Sequence, residues 1–290
     1  SYGLLGLTAL ARHLKCDPAD LVPAKIRNLP HYPPVVMSQA RPGCALPIGD
    51  SRGDEVCPFS VAAMIDRLFP TAASARLVGY MSGVVPSKPK GRELHFEGLS
   101  DPGWSLIFGP DRLKVQSAII PECATLSESG HTVLCRPLPR GGPVRLEILG
   151  APRHHASHSH QDRGSILLEV AEERILVDRG IGHYSNPLGD LAKTAVAHNL
   201  LVPEDDRGAP LSQILWTEHP VKPRLSYRRG RFQAVLRLNE VWDSRWVRSA
   251  WRRLDSPRPG EFELTDDMEI RRPAGATLHF HTPCRIERQG

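Results

Sequence analysis

The sequence predicts an α+β protein in which a helical segment over residues 1–120 precedes a large antiparallel β-sandwich over residues 121–290. Three observations carry this reading. In the first third, apolar residues recur near the 3.6-residue helical period. From about residue 120, short β-rich runs are cut by Gly, Pro and Asp at regular spacing, as in a sandwich. The change of texture happens once, which argues against alternating βαβ units.

In order, "LLGLTALARHL" places leucines at 4, 7, 10 and 14, and "SVAAMIDRLF" behaves likewise. Between them "NLPHYPPVVMSQARPGCALPIGDSRGD" reads as a loop too rich in turn residues for regular structure. The strand candidates follow: "HTVLCRPL", "VRLEILG", "GSILLEVAEERILVDRG", "HNLLVPED", "RFQAVLRLNEVW", "WVRSAWRRLD" and "ATLHFHTP". The third reads as a hairpin turning at "AEER", with Asp178 closing its second strand.

No apolar run reaches the roughly 18 residues of a membrane span. No secretory leader is visible, and the chain opens on "SYG" without Met, so the expectation is a mature or truncated chain whose location stays open. The net charge of +5 is mild and compatible with a polyanionic partner. Six scattered cysteines form no C-x-x-C pair, which speaks against a cysteine zinc site; Cys44 and Cys57 could be bridged.

The chemistry concentrates in "HHASHSHQDRG", four histidines and an aspartate in eleven residues from His154 to Gly164. Residues two apart on an extended segment point to opposite sides, so His158 and His160 belong to different surroundings. Strand ends bring His158 or His160, Asp178 and His198 within reach of one another.

The order "H-S-H-Q-D", "ILVDRG", "GHY", "TAVAHNLLV" resembles the β-domain signature of the heparinase II/III-like polysaccharide lyases, closely over residues 155–202. Leu200 stands where that family usually has Thr, and Gln161 and Arg163 where small residues are common. The resemblance implies that the helical segment is the C-terminal part of an (α/α) toroid. It implies zinc held by His160, Asp178 and His198, a recognised ligand set, with an organising rather than water-activating role. Asp162 becomes an outer or turn residue. It implies β-elimination on a uronate-containing acidic polysaccharide, a glycosaminoglycan such as heparin or heparan sulfate, or alginate. The site must neutralise the carboxylate, remove the C5 proton and protonate the leaving sugar oxygen. His158 and Tyr184 are the implied proton-transfer residues, with Tyr2 as a further candidate from the end of a helical Y-x-x-Y-G stretch. His183 is a candidate substrate contact. A periplasmic or secreted bacterial location is favoured by the same resemblance.

Two other functions compete: a metal-containing carbohydrate-binding β domain without lyase activity, and a metal-dependent hydrolase. His154 and His155 read as surface residues and Asn199 as a structural hydrogen-bonder. Nine arginines between Arg224 and Arg253 alternate with Val, Leu and Trp, as a solvated sheet face does, so nucleic acid is not expected as a partner. Trp216, Trp242, Trp246 and Trp251 read as core. The oligomeric state is not legible.

Overall fold

A computed structural model describes residues 2–22, 24–51, 59–83, 119–126, 128–152, 159–181, 188–272 and 274–287. The chain divides into two compact units, 1–37 with 42–45 and 55–120, and 38–41 with 46–54 and 121–290. No helix among the described residues is long and apolar enough to cross a membrane.

The first unit is helical. Its elements are α1 (Tyr2–Leu14), α2 (Tyr32–Val36), α3 (Phe59–Leu68) and α4 (Ala72–Gly83), with 3-10 turns at Pro18–Leu21 and Ala24–His31. The α3–α4 corner is closed by a reciprocal cap: Ser74 N donates to Thr71 Oγ1 at 3.0 Å, and Thr71 N donates to Ser74 Oγ at 2.8 Å. Met37, Ala62, Leu77, Val78, Tyr80 and Met81 form its buried cluster. The stretch expected to lack regular structure contains α2, because Pro at its first positions is pre-set for a helix start and lacks only an N–H that would have had no partner.

The second unit carries every strand among the described residues. β1 (Cys123–Thr125), β2 (Thr132–Pro137), β3 (Pro143–Ile148), β4 (Ile166–Val170) and β5 (Glu173–Leu176) form one antiparallel meander in chain order. β7 (Arg224–Arg228), β8 (Arg231–Arg237), β9 (Val247–Ser256) and β10 (Glu263–Ile270) form a second. β6 (Leu201–Pro203) pairs with β11 (Ala276–Leu278), and a one-turn helix, α5, spans Gly189–Ala192.

Strand periodicity decides what faces what. Leu134, Leu146 and Ile166 of the first sheet share one core with Phe232, Ala234, Leu236 and Leu254 of the second, around the fully buried Trp242. The first sheet's other face is polar yet buried. Arg145 donates to Glu147 at 2.8 Å, while Ser38 Oγ and Gln39 N donate to the Glu169 carboxylate at 2.5 and 2.7 Å. Leu46 packs there with Leu149 and Leu167.

The strands thus have two opposite rims. One carries residues 159–165, 177–180 and 198; the other carries the turns 138–142, 171–172, 229–230 and 257–262.

Two tryptophans depart from the core reading. Trp242 is buried and Trp246 half-buried, but Trp216 is 64% exposed on a loop and Trp251 occupies an outward position of β9.

Candidate metal centre

His160 sits on the loop before β4, Asp178 two residues beyond β5, and His198 just after the 3-10 turn Ala195–Ala197 that precedes β6. All three are buried. Each offers one ligand atom, and these atoms lie within 4.8 Å of one another. His198 Nδ1 is 2.6 Å from Asp178 Oδ2, and the two imidazoles stand 5.5 Å apart between ring centroids. Asp178 Oδ1 accepts from Gly180 N at 2.9 Å, and His160 Nε2 is 3.0 Å from Asp50 Oδ1.

The donor set fits a cation. His160 Nδ1 and His198 Nε2 are buried without a hydrogen-bond partner, a condition that costs about 1–3 kcal/mol for each such nitrogen unless something else satisfies it. Two imidazoles and a carboxylate are a zinc-type ligand set. Burial disfavours the His198 cation, but the Asp178 carboxylate beside it, by hydrogen bond and charge, raises its pKa on balance. Burial raises the pKa of Asp162, with Asp178 adding to the effect and His198 and His160 opposing it.

Neighbouring residues fix these segments. Asn199 Nδ2 donates to Ile166 O at 2.7 Å and Val177 O at 3.0 Å; its Oδ1 accepts from His281 N at 2.7 Å. The buried Arg252 grips the Asp266 carboxylate with two 2.7 Å bonds. Its remaining terminal nitrogen donates to Gly164 O at 2.8 Å and Asn199 O at 2.7 Å. Gln213 accepts from Arg163 N and donates to Arg163 O, at 3.0 and 3.1 Å. Beside His160 lies a cavity of about 140 Å³ lined by Ile48, Gly49, His131, Gly150 and Ser159.

Of the residues singled out from sequence, His160, Asp178 and His198 come together, and Asn199 makes the structural bonds expected of it. His154, His155, His158, His183, Tyr184 and Cys57 lie outside the described residues. Tyr2 opens α1 in the helical unit, and its side chain is likewise outside them. Asp50, His131, Gln213 and Arg252 were not anticipated. Arg252 had a readable signal: it shares strand parity with Ala250 and Leu254, both apolar.

Residues 149–288 match the family described as Heparinase II/III-like, C-terminal. Over that stretch the chain is similar to the heparinase II/III-like C-terminal domain. Among curated proteins, none matches the sequence. Solved structures with the same fold include a mutant of the heparan sulfate lyase HepC from Pedobacter heparinus, with TM-score 0.54 and 12% identity over 85% of this chain and 32% of that one. A heparinase III structure gives TM-score 0.57 and 12% identity over 87% of this chain and 36% of that one. The chain therefore spans about a third of the length of these heparinases. The three candidate ligands fall wholly inside the matched region.

Proposed function

We propose that the chain is part of a polysaccharide lyase that cleaves uronate-containing acidic polysaccharide by β-elimination, with zinc held by His160, Asp178 and His198. The observation that carries this reading is the buried His–Asp–His cluster within a heparinase II/III-like domain. Zinc there would supply fixed positive charge that cross-links three segments distant in sequence. The chain's own residues then set the loop around them. Asn199 holds the end of β5 against the start of β4, and Arg252 ties Gly164 to Asn199, which fixes the segments that flank His160 and His198. In this proposal His158 and Tyr184 move the protons: the C5 proton leaves, and the 4-linked sugar oxygen departs protonated. Tyr2 is a further candidate and His183 a substrate contact. The first unit's helices are the end of the (α/α) toroid.

A second reading takes the same matched domain and candidate ligand cluster as a metal-containing carbohydrate-binding domain without lyase activity. Zinc content tests the site and absorbance of the unsaturated uronate product tests the reaction. We expect close to one zinc per wild-type chain, lost in His160→Ala, and product absorbance with a heparan sulfate or alginate substrate. A folded wild-type protein without metal would remove the zinc site. Zinc with glycan binding but no unsaturated product would establish the second reading.

A further inference from the structure

The rim opposite the metal cluster carries an arrangement that folding alone does not favour. β7 and β8 are joined by Arg229 and Gly230, both with positive φ (50° and 73°), so the pair Arg228↔Arg231 faces directly across the hairpin. Like charges in directly opposite positions destabilise a strand pair. Arg229 in the turn adds a third arginine, and Arg224 a fourth on the same strand as Arg228. All four are exposed, and none has an acidic partner among the described residues.

The surroundings carry charges of both signs. Below the turn, the buried Arg136 donates to Gly230 O, to Ser256 Oγ and to Arg258 O, the last at 3.0 Å. One guanidinium thus fastens the β7–β8 turn to the β9–β10 turn and leaves its own charge beneath both. Arg140 is exposed on the β2–β3 turn of the same rim. Of the nearby acids, Glu122 accepts from Tyr227 Oη and Glu261 pairs with Arg258. Glu172 and Glu173 lie on the β4–β5 turn of this rim. The β8 strand is seven residues long, which puts the turn about 20 Å from the metal rim.

We propose that this arginine turn is a second, non-catalytic binding site for a polyanionic glycan, recognising sulfate or carboxylate groups. Arginine forks match such oxyanions in a bidentate way. Among the described residues the turn presents no exposed aromatic side chain for base stacking, Tyr227 being half-buried and Phe232 buried, and this favours a glycan over single-stranded nucleic acid. The identity of the glycan rests on the lyase-family reading above; the existence of the anion site does not.

The test uses the full chain and the variant Arg228→Ser/Arg229→Asn/Arg231→Ser, Asn being tolerant of the positive φ. Binding to a heparin oligosaccharide and to a single-stranded oligonucleotide of similar charge is measured against salt. We expect the variant to weaken heparin binding about tenfold or more, and to flatten the salt slope by about 2, with melting temperature and metal content unchanged. An unchanged heparin affinity overturns the proposal, as does tighter binding of the oligonucleotide. Lyase activity in wild type with heparin affinity unaltered in the variant sinks this site and leaves the proposed function standing. Absence of lyase activity with the expected loss of heparin affinity does the reverse.

Discussion

His131 shows how one half-buried side chain can set acid stability. Its Nδ1 is 3.8 Å from Glu147 Oε1, and neither atom has a hydrogen-bond partner. Burial lowers the His131 pKa to about 4, and burial, against the pull of Arg145, raises that of Glu147 to about 8. Both groups are therefore neutral near pH 6. For His131 the folded pKa lies below the unfolded value of about 6.5, so the unfolded chain binds the extra proton first. Stability then falls as pH drops from about 6.5 to 4, by on the order of 3 kcal/mol. For Glu147 the folded pKa is above the unfolded one, so stability falls instead as pH rises from about 4.5 towards 8. We expect thermal melting at pH 4 to be much less depressed, relative to pH 6.5, in His131→Gln than in wild type. Equal depression in the two proteins would show that the acid sensitivity lies elsewhere.

At the scale of elements, the β4–β5 hairpin and the three candidate ligand segments were legible because each is local: a period of two, a turn, a terminal Asp or His. What could not be read were the contacts that cross the unit. Asp50 reaches His160 across 110 positions of sequence, and Arg252 reaches Gly164 across 88. Arg252 was hidden inside an arginine-rich run whose other members face solvent, although its parity with Ala250 and Leu254 marked it as inward. The loop after β5 makes the same point through backbone geometry. Gly180 has φ +56, and a Cβ there would collide with Ser51 O while its N–H holds Asp178 Oδ1. Gly180→Ala must therefore move the loop and with it the aspartate. We expect a loss of about 2 kcal/mol or more in unfolding free energy and a tenfold or greater weakening of zinc binding. A variant with wild-type zinc affinity would mean that the loop adjusts without displacing Asp178.

For the whole molecule, the useful contrast is between what the two rims of the β unit ask of the sheets. The arginine rim needs only a hairpin that tolerates repulsion. The metal rim needs three loops held together although their backbones run through different connections, and the structure leaves two imidazole nitrogens there without partners. An ion that binds only the folded arrangement stabilises it by mass action, about 4 kcal/mol when present at a thousand times its dissociation constant. For a β unit of this size that corresponds to a rise of roughly 8–16 °C in melting temperature. Removal of metal with a chelator should lower the melting of the β-sheet signal by that amount, and added zinc should restore it. In His198→Ala the chelator should have no effect, because the binding set is already broken. If the wild-type protein holds zinc yet melts at the same temperature after chelation, the metal does not organise the fold, and the rim must be held by Asn199 and Arg252 alone.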